Sequence, residues 1–477
     1  MEVAIPRRFR FFEAIKSIRL STYIWGFLWF VTLLSLALNN GIYLCICFAT
    51  VLLIVKLLFF QRLPGIICFS LVMQWVQVFA FVLWMNFGGF DINYLSPKAA
   101  DALILSCIGL LLMAVIIHMI VKKLGIPTLE YMESEATKVN EKKLLVLYIV
   151  STVFLTSIGF VLGSTSGFAQ ILVSIADFKW IFLLWYGYVI WIKKKNRIYL
   201  LYIVLYEFGS GFYSYFSSFK EVIFYVIILA ITFTVHVKFK QFIRLSTIFL
   251  ILIPLFLSWS VIKGDYRNFL SQGRRSQTVS VSREQAYMKL GEQFQKLKWA
   301  DFELATSMSL YRLQYVLHFA LAMERVPSVT PYQNGDVWYD NVINVLKPRL
   351  LFPDKGIFDA SIKTSKFTGR KFAGHNQGAA FSLGYFPDAY VDFGPFGMFF
   401  PIAIVGLGVG LIYRNFYLQK KLNLFLKFAI INVVLKVFMS FENDGLFLVG
   451  RLVTGFFTFY ILCKWVFPKL QRWILKF

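Results

Sequence analysis

Between positions 263 and 391 lies the longest polar stretch of the chain, and within it cationic and aromatic side chains are set close together. Arg312 stands near Tyr311 and Tyr315, Arg349 near Phe352, and Arg370 and Lys371 directly precede Phe372. Guanidinium groups grip phosphate oxygens bidentately and aromatic faces stack on sugar rings, so this mixture suits a phosphorylated, lipid-linked sugar. Arg267 and Lys355 add two further cations. The alternative use of these charges is to meet anionic headgroups, or to pair with Asp336, Asp340 and Asp354. His375, in a Gly-flanked loop, titrates near neutral pH and is the candidate general base, with Asp388 and Asp392 placed to assist. Asp392 is equally suited to capping the helix that follows it. His318 lies one helical turn from Tyr315 and reads as structural. No P-loop, GxGxxG or HExxH pattern occurs, and nothing calls for a metal or cofactor.

The elements that must hold these residues are apolar. Of 477 residues, 58% are hydrophobic and 19% aromatic, against 16% charged. Water does not cover that much apolar surface on a soluble domain of this length, so the composition describes an integral membrane protein. Its formal charge of +24 follows from Lys and Arg gathering in cytoplasmic loops, not from a nucleic-acid partner. Taking about 20 apolar residues per crossing, spans fall at 23–37, 42–60, 64–87, 99–121, 144–162, 178–192, 198–216, 222–237, 243–262, 393–413, 424–440 and 446–467. The fold class is therefore all-α, polytopic, with about twelve spans. Three blocks follow: 1–262 with the first nine spans, 263–391 as one large loop, and 392–477 with the last three.

Charge placement tests that count. Basic joints at Lys56 and Arg62, Lys122 to Lys143, Lys193 to Arg197, Lys238 to Arg244, Arg414 to Lys427, and Lys464 to Lys476 alternate with joints that are neutral or acidic. By the positive-inside rule both termini are cytoplasmic and the long loop is external. Arg7, Arg8 and Arg10 precede a first helix with no small-residue cleavage site after it, which reads as a retained span. Cys45, Cys47, Cys68, Cys107 and Cys463 all sit in apolar runs, without metal-ligand spacing. Lys220, Glu221, Lys436 and Arg451 are costly inside a membrane unless paired. Lys220, Glu221 and Arg451 fall toward the external side, where they would line a cavity under the loop or form inter-helix ion pairs. Within the loop, apolar residues at helical spacing over 283–323 predict a helical half, and 338–346 a shorter helix. Beyond Pro348, frequent Gly and Pro predict irregular backbone.

Two patches carry a resemblance. Lys347-Pro348-Arg349-Leu350-Leu351-Phe352-Pro353-Asp354-Lys355 resembles the Pro-Arg … Pro-Asp-Lys-Pro stretch of the Wzy-type polymerases of O-antigen and exopolysaccharide repeat units, with Gly356 in place of the last Pro. The run from His375-Asn376 to Asp388-Ala389-Tyr390-Val391-Asp392-Phe393-Gly394-Pro395-Phe396-Gly397 resembles that family's closing segment, with Asp388 where Glu is common and Asp392 where Asn is common. The chain is also distantly similar to O-antigen ligases. The resemblance implies a glycosyltransferase of the bacterial inner membrane that joins undecaprenyl-diphosphate-linked repeat units by metal-independent, inverting transfer at the outer face. Donor and acceptor are then lipid-linked glycans, with membrane lipid and a chain-length-regulating co-polymerase as further partners. Arg349 and Arg370 would meet the diphosphate, backed by Lys371, Arg312, Arg267, Lys355, Tyr390 and Arg451, with His375 as base. A ligase, or from another class a flippase or transporter, shares the layout; a transporter normally shows two related halves, which are not visible here.

Overall fold

The computed structural model describes residues 38–161, 177–213, 219–234, 239–273, 279–298, 300–347, 352, 358–374 and 380–475, with Gly26, Trp29 and Leu33. Among these the chain is all-helical, with nineteen α-helices, two 3-10 turns and a single β-bridge between Val139 and Leu475. In order, the first nine are α1 (Gly41–Leu58), α2 (Ile66–Phe87), α3 (Ala99–Val121), α4 (Leu129–Thr137), α5 (Glu141–Val161), α6 (Phe178–Lys193), α7 (Arg197–Ser210), α8 (Phe219–Phe233) and α9 (Phe239–Leu270). The loop then supplies α10 (Arg283–Gln295), α11 (Ala300–Leu313), α12 (Val316–Arg325), α13 (Asp336–Leu346), α14 (Ala360–Thr368) and α15 (Tyr385–Gly397). The chain closes with α16 (Phe399–Tyr417), α17 (Leu424–Leu435), α18 (Gly445–Trp465) and α19 (Phe467–Ile474).

Among the described residues, α1, α2, α3, α16 and α18 are long and apolar enough to cross a membrane. In hydrocarbon an unpaired backbone amide costs several kcal/mol, so apolar runs of this length close their own hydrogen bonds as helices. The helices α6, α7, α8 and α17 are 16, 14, 15 and 12 residues long, below the roughly 20 of a perpendicular crossing. The run at 23–37 lies outside the described residues except for Gly26, Trp29 and Leu33.

One boundary moves for a local reason. The span read from 393 begins instead at Phe399, because Gly394 takes φ +72° and breaks the helix there. A side chain at Gly394 would both strain that backbone and press on the Tyr332 ring, 3.2 Å from a Cβ at that position.

The joints sort to two ends of the bundle. At one end Lys193 pairs with Glu141 at 2.8 Å, Lys143 donates to the Trp473 carbonyl at 2.7 Å, Asn423 donates to Glu135 at 2.9 Å, and His118 Nδ1 meets the Leu57 carbonyl at 2.7 Å. These contacts gather the basic joints. At the other end Asn40 donates to the Phe90 carbonyl at 2.9 Å, Trp84 donates to Ser307 at 3.3 Å, and Tyr287 donates to the Gly209 carbonyl at 3.1 Å. The neutral joints and the long loop therefore share that end.

The loop is not an appendage. Its helical half, read as one pattern over 283–323, is three helices. The first starts on a capping box in which Ser282 Oγ accepts from the Gln285 N–H and Gln285 Oε1 accepts from the Ser282 N–H. From Val316 to Met323 every residue of α12 is buried, packed on α3, α14 and α15. The part read as irregular contains α14, capped by Asp359, whose side chain accepts from the Ser361 N–H at 2.9 Å. Asp392 does cap a helix, but not the one after it. Its Oδ1 and Oδ2 accept from the N–H groups of Val337 and Trp338 at 3.1 and 2.8 Å, closing the start of α13.

Candidate functional site

Lys263 is the hub of a cationic cluster at the loop end of the bundle. It is the first residue past the apolar part of α9, and Arg267 follows one turn later. Burial pushes the Lys263 ammonium down to about 7, and the positive charges of Arg312, Lys220 and Arg267 push it the same way, opposed by Glu442. Lys220, in the first turn of α8, is lowered by burial and then by Arg267. Glu442 lies just before α18, and burial raises its carboxyl. Lys220, the amide of Gln77, the hydroxyl of Tyr315 and Lys263 all draw it back. Gln77 is itself fixed, its Oε1 accepting from the Phe441 N–H at 2.6 Å. Three helices thus bring four cations together, two of which, Lys220 and Lys263, act on Glu442 in the joint before α18, and helix α2 supplies an amide that hydrogen-bonds it.

Tyr315 links this cluster to a second group. Its ring lies edge-on to His318 with centroids 5.1 Å apart, and His318 lies edge-on to Phe372 at 5.3 Å. Burial pushes His318 down to about 4, and Arg370 adds to that shift. His318 is therefore neutral near pH 7 and acts as a packed ring, as its helical position suggested. Arg370 stands by His318, and Arg267 and Arg312 meet at Lys263 although they are far apart in sequence.

A different charged group lies deeper. Lys363 of α14 reaches Asp388 of α15 at 2.8 Å and also pairs with Asp444, the N-cap of α18. Asp388 Oδ2 additionally accepts from the Gly445 N–H at 3.0 Å. Only glycine permits that approach, since a Cβ at position 445 would stand 2.6 Å from Asn341 Nδ2 and 3.1 Å from Asp388 Oδ2. Burial raises Asp388 to about 7, countered by Lys363 and reinforced by Asp444. The two carboxylates in turn raise Lys363 against its own burial. This triad fastens two loop helices to α18.

A family model described as a domain of unknown function (DUF8712) matches residues 52–464. The chain belongs to the DUF8712 family. That match takes in the whole of both charged groups. No curated protein and no solved structure matches the chain.

In this DUF8712 protein the remaining site candidates are dispersed. Arg451 faces neither group. It lies 4.0 Å from Asp177, which Lys436 holds at 2.6 Å while also standing 3.5 Å from Glu221. Tyr390 is buried in the core, its hydroxyl donating to the Val326 carbonyl at 3.2 Å. Lys371 is exposed. His375, Arg349 and Lys355 lie outside the described residues. Lys263, Glu442 and Lys363 had not been singled out as site residues. Lys363 carries no sequence signal at all, because its partners are 25 and 81 positions away, at Asp388 and Asp444. Lys263 had one: it begins the loop one helical turn before Arg267.

Proposed function

We propose that this protein is a glycan polymerase that joins lipid-linked oligosaccharide repeat units. The observation that carries the reading is the cluster around Lys263, where half-buried Lys220, Lys263 and Arg267 and exposed Arg312 gather near the carboxylate of Glu442. Burying like charges together is unfavourable without a counter-anion, and a diphosphate supplies one. Tyr315 and Phe372, both half-buried and edge-on to the packed His318 ring, offer aromatic surface near those cations, the pairing a phosphorylated sugar requires.

In the reaction, a hydroxyl of one lipid-linked unit attacks the anomeric carbon of the growing chain. The new glycosidic C–O bond forms as the bond to undecaprenyl diphosphate breaks, and the electron pair leaves with the diphosphate. Lys220, Lys263, Arg267 and Arg312, with Arg370 nearby, stabilise that developing charge. The hydroxyl proton passes to a base, for which His375, five residues beyond Arg370, is the choice. The setting is the bacterial inner membrane, crossed by about twelve helices, with cytoplasmic termini and the loop outside.

Deletion tests this directly. Cells lacking the protein should display surface glycan of a single repeat unit. Polymer retained on the lipid carrier would instead mean a ligase, and units trapped on the cytoplasmic face a flippase; either outcome sinks the polymerase reading.

A further inference from the structure

A cavity of about 260 Å³ opens between α8, the 3-10 turn Lys436–Met439 and the start of α18. Its wall alternates polar and aromatic side chains: Glu221, Asn443, Lys436 and Arg451 stand among Phe224 and Phe447. Asp177 pairs beneath, with Lys436 Nζ held at 2.6 Å. The pairings that face the cavity are looser. Glu221 is 3.5 Å from Lys436, Arg451 is 4.0 Å from Asp177, and the Arg451 guanidinium lies 5.8 Å from the centre of the Phe447 ring. Both Glu221 and Arg451 therefore keep hydrogen-bonding capacity toward the open space.

Charge separates this cavity from the Lys263 cluster. Here two carboxylates, Asp177 and Glu221, balance two cations, Lys436 and Arg451, so no net charge awaits an anion. A neutral pocket with bidentate acceptors, an amide, a guanidinium and an exposed ring face matches the hydroxyls and the apolar face of a sugar ring. Its volume is below the roughly 300–1,000 Å³ typical of sites for larger ligands, which suits one or two sugar rings and not a whole repeat unit. It also adjoins the cationic cluster. Lys220 and Glu221 are consecutive on α8, as are Glu442 and Asn443 before α18, and the first of each pair belongs to the cluster while the second lines the cavity.

We propose that this cavity is an uncharged-saccharide subsite, in which Glu221 and Arg451 bind ring hydroxyls and Phe447 supplies the stacking face. Resting on the polymerase reading, it would seat the sugar next to the one whose diphosphate the Lys263 cluster holds. The test uses the full chain in lipid nanodiscs with two probes: oligosaccharide released from the host cell's own surface glycan, and inorganic diphosphate. Glu221→Gln, which keeps size, and Phe447→Ala should each weaken oligosaccharide binding by roughly tenfold or more, and leave diphosphate binding unchanged. Lys263→Ala and Arg312→Ala should do the reverse. Retained diphosphate binding also shows that the Glu221 and Phe447 variants are folded. Oligosaccharide binding equal to wild type in both variants overturns the proposal, as does a wild-type protein that binds no oligosaccharide. Failure of the polymerase reading has its own signature, normal glycan length in the deletion strain, which this binding measurement does not share.

Discussion

The Lys363 triad and the Lys263 cluster are built from the same residue types and do opposite things. Around Lys363 two carboxylates meet one ammonium, and the Gly445 N–H donates to the same Asp388 oxygen that Lys363 reaches. Around Lys263 three further cations, Lys220, Arg267 and Arg312, gather with the carboxylate of Glu442. Desolvation is costly in both places, but in the triad the compensating charge comes from the protein itself. At Lys263 the nearby carboxylate is Glu442, facing several cations. Stoichiometry, more than the presence of charged side chains, separates a fastening from a binding site.

That contrast is most severely tested at Lys363. Lys363→Met leaves two buried carboxylates without their cation, and should cost about 3–5 kcal/mol of stability, the usual result of removing one partner of a buried pair. Thermal unfolding in detergent, or protein level in the membrane, reads it. A variant that accumulates and melts like wild type would show that the triad fastens nothing.

At Lys263 the same manoeuvre should have the opposite sign for stability. Lys263→Gln removes one of several mutually repelling charges, so the unfolding midpoint should hold or rise. Chain growth, however, should fall by about 10²–10³-fold, the scale of losing one preorganised charge-stabilising group. Arg312→Gln should behave alike. Loss of activity together with loss of folded protein would move Lys263 into the structural class and remove the main support for a diphosphate site.

How much of this was visible in sequence divides along the same line. The five apolar helices were legible because each is a continuous local run, and α3 matches its expected bounds at both ends. So was the sorting of the basic joints to one end, since that depends only on charge order along the chain. The kink at Gly394 was hidden, because the apolar pattern runs straight through it and only the backbone of one glycine departs. Of the cluster, Arg267 and Arg312 stand out in sequence, Arg312 because it lies among aromatic residues. Lys363 was not legible, since neither Asp388 nor Asp444 is near it in sequence, and a buried lysine looks like an exposed one until its partners are placed. Asp392 shows the same limit. Its preference for a helix start was correct, yet the helix it caps begins more than fifty residues earlier.

The smallest effect concerns pH, and it sharpens the comparison by asking which triad member carries a proton. Burial holds the Asp388 carboxyl at about 7 in the fold, above the roughly 3.9 of an unfolded chain. Because the folded value is the higher one, the fold favours the neutral acid. The associated stability is complete below about pH 4 and is lost as pH rises through about 7. With Asp388 neutral, Lys363 and Asp444 form a balanced pair; with it ionised, the buried group carries one negative charge in excess. Between pH 6 and 8 the Asp388 contribution to stability should therefore fall by roughly 1 kcal/mol, while Lys263, held down at about 7, contributes a rise of the same order, so the reading is the difference between wild type and a variant at position 388. Asp388→Asn retains an oxygen for the Gly445 N–H and has no proton to lose, so between pH 6 and 8 its stability should rise relative to that of wild type by the amount Asp388 contributes. Lys363 adds nothing to the slope here, since its own value is raised and it stays charged throughout the interval. Parallel pH profiles for wild type and Asp388→Asn would mean that Asp388 is already ionised at pH 6, and that the triad tolerates its excess negative charge.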